Sequence, residues 1–317
     1  MNLPIPVSTP PQGWSGRVDG TTSKHLRWHQ AVTPFDPAAE PGATVLLGFA
    51  CDEGVARNKG RRGAATGPDA LRSALASMAL PHPIRAHDAG TIAVAGDRLE
   101  AGQDTLAAAV TTVLDAGHFP VVLGGGHEMA YGTYLGLARS SLRTPDRRVG
   151  ILNVDAHFDL RPDPVASSGT PFRQILEHEG AAGTAVQYSV IGIAQPSNTA
   201  ALFDTARRLG VRYLSDDDSF DRTAVHTFVA GFLAEVDLVY LTIDLDVLPA
   251  AVAPGVSAPA AFGVPVETVQ FICDTVSASG KLAVCDVAEL NPVYDIDQRT
   301  ARTAARLIHR LVVGQSK

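Results

Sequence analysis

The sequence predicts an α/β fold with a mainly parallel central sheet, on three observations. Short apolar runs alternate along the chain with Ala- and Leu-rich stretches of helical character. Several runs, Val239-Tyr240-Leu241-Thr242-Ile243 among them, carry no polar alternation, as strands covered on both faces require. Acidic residues and histidines then follow the runs at their carboxyl ends, where open α/β sheets bind their ligands.

Taken in order, residues 1–42 are rich in Pro and Gly, hold both tryptophans, Trp14 and Trp28, and show neither the helical nor the strand period. They read as an N-terminal arm, and residues 43–317 as one domain. Strand-like runs fall at 44–49, 120–123, 149–154, 187–193, 211–214, 238–243 and 281–287. Helix-like stretches fall at 68–79, 100–116, 199–209, 223–234, 265–277 and 300–313. Asp216-Asp217-Asp218 is the one charge run and reads as a solvated turn or helix start.

Among the 317 residues, 26 Lys+Arg stand against 33 Asp+Glu, a net charge of −7, and no basic stripe is present to neutralise phosphates. A nucleic-acid partner is therefore not expected. No segment approaches the ~18 uninterrupted apolar residues of a membrane span, so no membrane partner is expected either. The opening Met1-Asn2-Leu3-Pro4-Ile5-Pro6 lacks the basic flank and apolar run of a secretory signal, and the expectation is a cytoplasmic protein. Cys51, Cys273 and Cys285 are an odd, scattered set without a CxxC pair, which fits reduced thiols.

The chemistry collects at four strand exits. Gly124-Gly125-Gly126-His127-Glu128 follows the second run, Asp155-Ala156-His157-Phe158-Asp159 the third, Asp244-Leu245-Asp246 the sixth, and Glu289 the last. A spacing of two puts Asp155, His157 and Asp159 on one side if the chain stays extended, and likewise Asp244 with Asp246. Any one of these has an ordinary explanation: the glycines a tight turn, His127 a satisfied core histidine, either Asp a helix cap. Together they are harder to dismiss, because carboxylates following apolar strands are costly to bury without cations. Two imidazoles (His127, His157) and four carboxylates (Asp155, Asp159, Asp244, Asp246) exceed one tetrahedral zinc and suit two divalent ions in oxygen-rich sites, with Mn²⁺ the natural choice.

The motifs Gly124-Gly125-Gly126-His127-Glu128, Asn153-Val154-Asp155-Ala156-His157-Phe158-Asp159 and Thr242-Ile243-Asp244-Leu245-Asp246 resemble the three metal motifs of the arginase/agmatinase ureohydrolase superfamily, and the resemblance covers most of the chain. It implies one three-layer α/β/α catalytic domain, two Mn²⁺ per subunit, hydrolysis of a guanidine or amidine, and a homo-oligomer. Carried over by residue, His127, Asp155, His157, Asp159, Asp244 and Asp246 would serve the ions. Asp159 would also move a proton, and Glu289 would hold the guanidinium or amidinium.

Around the metals the sequence resembles the formimidoylglutamases of that superfamily. The matching stretches are Trp14-Ser15-Gly16-Arg17-Val18-Asp19, Arg27-Trp28-His29-Gln30, Cys51-Asp52-Glu53-Gly54-Val55 with Arg57-Asn58, Ser167-Ser168-Gly169-Thr170-Pro171-Phe172, and Asp244 onward to Pro259. This implies conversion of N-formimidoyl-L-glutamate and water to L-glutamate and formamide, in histidine degradation.

Two departures bear on substrate. Agmatinase-like enzymes have a proton-moving His where this chain has Ser168, and arginases an Asn where it has Arg161. A guanidinium at 161 could grip a substrate carboxylate bidentately, which suits a dianion and opposes cationic agmatine; the plainer alternative is a salt bridge to a site aspartate. Arg57 and Arg173 are further carboxylate candidates, and Ser168, Asn198 and Glu128 pocket candidates. Cys51 could be a pocket thiol, though a small buried hydrophobe is the commoner use. The rival readings are a urea-releasing agmatinase, arginase or guanidino-acid hydrolase, a single-zinc deacetylase for which His127, Asp159 and Asp246 are superfluous, and a non-catalytic metal-binding homologue.

Overall fold

The computed structural model describes residues 5–11 and 14–315; residues 1–4 at the opening of the expected arm, positions 12 and 13, and the last two residues lie outside it. Nine strands are found among the described residues: β1 (Val32–Pro34), β2 (Thr44–Ala50), β3 (Ala86–Ala93), β4 (Phe119–Gly124), β5 (Val149–Val154), β6 (Val186–Ile193), β7 (Arg212–Ser215), β8 (Leu238–Asp244) and β9 (Leu282–Ala288). They form one sheet in the order β1-β3-β2-β4-β9-β8-β5-β6-β7. Every pairing is parallel. The last strand made, β9, thus lies at the centre with four strands on either side.

The helices are α1 (Trp28–Ala31), α2 (Glu53–Arg57), α3 (Gly67–Ala76), α4 (Leu99–Asp115), α5 (Met129–Arg139), α6 (Pro171–Ala182), α7 (Ala200–Arg208), α8 (Arg222–Glu235), α9 (Val266–Ala278) and α10 (Arg299–Gln315). Alternate strand residues point to opposite faces, and both faces are covered. Leu241, Ile243, Cys285 and Val287 pack with α3, α8, α9 and α10. Val122, Ile151, Tyr240 and Val284 pack with α4, α5, α6 and α7. This three-layer arrangement is why the central strands read as unbroken apolar runs. Among the described residues no helix is long and apolar enough to cross a membrane.

Several elements depart from the sequence expectation, α2 and α6 among them. Strand β3 was not anticipated because Asp88 interrupts its apolar pattern; buried, that carboxylate takes Arg72 Nε at 2.9 Å and Nη2 at 3.0 Å, and the Trp14 indole N–H at 2.9 Å. Helix α5 carries Gly132 and Gly136, poor helix formers. Their use is close approach: a Cβ on Gly136 would stand 2.5 Å from the Val110 Cβ on α4, and one on Gly132 2.8 Å from the Gln103 carbonyl oxygen. Within residues 1–42, where no period was seen, α1 and β1 form, with β1 pairing to β3. Trp28 there is fully buried, and its indole N–H donates to Nδ1 of His309 at 3.0 Å.

Candidate metal centre

Strands β4, β9, β8 and β5 are contiguous, so their carboxyl ends open into one crevice, as expected of a parallel sheet. The loop leaving β4 runs hard against the one leaving β2: a Cβ on Gly125 would lie 2.1 Å from the Cys51 carbonyl oxygen, which excludes any side chain there. That tight passage delivers His127 into the crevice.

The two Asp-x-His/Asp motifs are shaped by a common device, and it is not the extended chain the spacing suggested. Asp155 Oδ1 accepts the His157 N–H at 2.7 Å, and Asp244 Oδ1 accepts the Asp246 N–H at 2.9 Å. Each strand ends in an Asx turn, in which the first carboxylate uses one oxygen on the backbone and bends the chain. Residues i and i+2 then share the pocket through the turn. Asp159 (φ 50°) and Glu289 (φ 69°) follow in the left-handed region, which costs energy for a residue with a Cβ and recurs at functional sites.

Nδ1 of His127 lies 3.2 Å from Asp155 Oδ2, 3.1 Å from Asp159 Oδ2 and 3.0 Å from Asp244 Oδ2. Nδ1 of His157 lies 3.4 Å from Asp155 Oδ1 and 3.2 Å from Asp246 Oδ2. One imidazole nitrogen offers one proton or one lone pair, so His127 cannot satisfy three carboxylates. His127 Nδ1 and Asp246 Oδ1 are both buried without a well-directed hydrogen bond. Donor atoms of His127, Asp155 and Asp159 lie within 4.8 Å of one another, as do those of Asp155, His157 and Asp246. The two sets share Asp155. Hard oxygen donors with two imidazoles, in overlapping groups, fit a pair of divalent cations.

The electrostatics agree. Burial opposes charge on both imidazoles, yet the surrounding carboxylates hold His127 and His157 well above the ordinary imidazole range. Burial likewise raises Asp155, but His127 and His157 overcome it and leave that carboxyl well below its usual value. Asp159 is pushed up to about 6 by burial and by the Asp155 charge. Asp244 is raised well above the carboxylate range by burial and by Asp246 and Asp155. Raised values at Asp159, Asp244 and both histidines mark a pocket short of positive charge.

Above these groups is a cavity of about 300 Å³, walled by Asn58, Lys59, Arg61, Arg161, Ser168 and Asn198, with Glu289 at its base. Burial pushes Glu289 up to about 8, and its Oε1 accepts the His127 backbone N–H at 2.9 Å. The Ser168 hydroxyl accepts from Asn58 Nδ2 at 3.1 Å. Arg161 and Lys59 reach the cavity with side chains free of ion pairs among the described residues.

Other candidates are placed differently. The Arg57 guanidinium is held by Glu53 at 3.2 Å, Glu100 at 2.6 Å and the carbonyls of Ala166 and Asp97, and does not line the cavity. Arg173 pairs with Glu177 at 2.6 Å on a separate surface depression. Asn198 does line the cavity, but its amide braces the Phe158 N–H and the carbonyls of Ala156 and Ala194. Glu128 is buried away from the cavity with Oε1 on the Gly54 N–H, and Cys51 is a buried thiol raised by burial. Sequence reasoning missed Lys59 and the Ser168 partner Asn58; their signal was the loop after the first strand, where attention went to Arg57 instead.

Comparison with known proteins places this geometry. The chain is 74% identical over 305 residues to a formimidoylglutamase of Rhodococcus jostii (strain RHA1), covering 96% of this chain and 95% of the relative. It is 70% identical over 303 residues to one of Nocardia farcinica (strain IFM 10152), covering 96% of each. Among solved structures it is similar to Trypanosoma cruzi formiminoglutamase with Mn²⁺₂, at a TM-score of 0.78 and 28% identity, covering 87% of this chain and 94% of that one. A family model matches residues 43–314, from β2 to the end of α10, and so takes in every strand that feeds the crevice: the chain belongs to the arginase family.

Proposed function

We propose that this chain hydrolyses N-formimidoyl-L-glutamate to L-glutamate and formamide, with two Mn²⁺ held by His127, Asp155, His157, Asp159, Asp244 and Asp246. The observation that carries the reading is the two overlapping donor sets at the base of a cavity whose wall presents two cationic side chains with neither a hydrogen-bond nor an ion-pair partner among the described residues, Arg161 and Lys59, beside Arg61, which is held by the Ser257 and Val256 carbonyls. The names of the relatives, at up to 74% identity, support the same substrate.

When bound, a pair of divalent ions supplies Lewis acidity and makes water nucleophilic at neutral pH. The chain's own residues do the rest. Glu289, buried and pushed up to about 8, gains its charge back from a cationic partner, and so seats the amidinium. Arg161 takes a substrate carboxylate, with Lys59 on the same wall; two cations match a dianion and repel agmatine. Water adds to the formimidoyl carbon and Asp159 accepts its proton. Asp159 then delivers the proton to the glutamate nitrogen as the C–N bond breaks. Ser168, whose hydroxyl accepts from Asn58, lines the wall. Self-association belongs to the same reading, and sedimentation tests it.

The experiment is a parallel incubation of Mn²⁺-loaded protein with N-formimidoyl-L-glutamate, agmatine and arginine, with products identified by NMR and metal counted in the same sample. Glutamate and formamide from the first alone support the reading. Urea from either guanidine overturns the substrate, and no product at full metal overturns the activity.

A further inference from the structure

His127 faces the carboxylates through Nδ1, and its other ring nitrogen, Nε2, lies 2.9 Å from the Thr242 hydroxyl, with both residues fully buried. An imidazole that offers Nδ1 to a metal must keep its proton on Nε2. Thr242 Oγ1 can accept that proton only if its own hydrogen points elsewhere. Thr242 stands opposite Asp286 in the β8–β9 register, on the same face of the sheet. The Asp286 carboxylate is fully buried and takes the Tyr240 O–H through Oδ2, while its Oδ1 has no hydrogen-bond partner among the described residues. None of Thr242, Tyr240 or Asp286 lines the cavity.

We infer that Thr242 is a positioning residue that accepts the Nε2 proton of a metal-holding His127 and fixes its ring, and so sets metal affinity from outside the ligand set. The inference rests on the reading of His127 as a ligand. With Nδ1 given to a metal the contact has one polarity, His127 Nε2–H to Thr242 Oγ1. The same contact holds the ring with Nδ1 toward the carboxylates before any ion arrives. Partners of this kind behind a ligating histidine are worth about 10–100-fold in metal affinity.

The test measures Mn²⁺ affinity of the full chain by competition with a chelating indicator, with melting of the metal-free protein recorded alongside. Thr242→Val removes the hydroxyl at nearly constant shape and is expected to weaken binding about 10–100-fold. Thr242→Ser restores the hydroxyl and is expected to recover most of that loss. Thr242→Ala, which also lacks the hydroxyl, serves if Thr242→Val does not fold. Parental affinity in Thr242→Val overturns the inference, and so does equal loss in the Val and Ser variants, because packing alone would then account for it. A parent chain that takes up no Mn²⁺ overturns the reading beneath it instead.

Discussion

Glu289 accepts the backbone N–H of His127 through Oε1 at 2.9 Å, joining two strand exits that are 162 residues apart in sequence. One oxygen therefore positions the histidine loop while the carboxylate as a whole supplies charge to the cavity. In Glu289→Gln the amide oxygen can still accept that bond, but the charge is gone. The expected result is a fall in kcat/KM of at least about 100-fold, roughly 3 kcal/mol, at unchanged Mn²⁺ content. Loss of metal instead would assign Glu289 to the loop alone.

Arg161→Ala removes a free guanidinium at the cavity wall. KM for N-formimidoyl-L-glutamate is expected to rise about 10–100-fold, the worth of one charge-assisted contact, while kcat and metal content hold. Steady-state kinetics with metal analysis separate the outcomes, and an unchanged KM would remove Arg161 from the substrate site.

Asp246 closes the set with Asp155 and His157, and its Oδ1 is buried without a partner. Asp246→Asn is expected to leave at most about one metal per chain instead of two, with turnover lost. Mass-spectrometric metal counting on dialysed protein decides it, and retention of both ions would place the second site elsewhere.

His309 links the sheet's helical cover to Trp28, and stability should follow its titration. The indole N–H can only donate, so His309 Nδ1 must keep its lone pair and the ring is neutral in the fold. Burial, with Arg306 and Arg310 nearby, pushes the ring down to about 4. The unfolded chain binds the proton near pH 6.5 and the folded chain refuses it until about pH 4. Stability is therefore lost as pH falls through that window, by on the order of 1–2 kcal/mol after allowance for screening near the surface. His309→Gln keeps an acceptor for Trp28 and is expected to flatten that part of the urea-midpoint profile relative to the parent. Parallel profiles would exclude His309 as the source.

Replacing a helical glycine by alanine ordinarily stabilises by about 1 kcal/mol. Gly136→Ala should reverse the sign, because the new Cβ would sit 2.5 Å from the Val110 Cβ and force α5 off α4. A loss of about 1–3 kcal/mol in denaturant unfolding is expected; a gain would mean that the helix pair yields freely.

The fold was legible where composition and burial agree. The runs that became β4, β5, β8 and β9 are apolar because helices cover both faces, and the polar residues after them cannot be read as anything but strand exits. Strand β3 and helix α5 were hidden by residues whose role is defined only by a distant partner: Asp88 by Arg72 and Trp14, and Gly136 by Val110. The clustering of His127, Asp155, His157, Asp159, Asp244 and Asp246 follows from their own side-chain chemistry and spacing, although the turn that unites them was not foreseen. Substrate contacts were harder. Arg57 and Arg161 look alike in sequence, and only the positions of Glu53 and Glu100 reveal that Arg57 is already engaged.

The place of β9 also governs how the molecule can be made. During synthesis the chain can assemble β1-β3-β2-β4 as one ribbon and β8-β5-β6-β7 as another, each ending on an apolar strand with an open edge. Until the segment 282–288 emerges from the ribosome, those two edges have no native partner and are templates for pairing with other chains. Its arrival seals both edges in one step and carries Glu289 to His127. A chain stopped short of β9 would leave two half-sheets, each with an open apolar edge exposed to pairing with other chains.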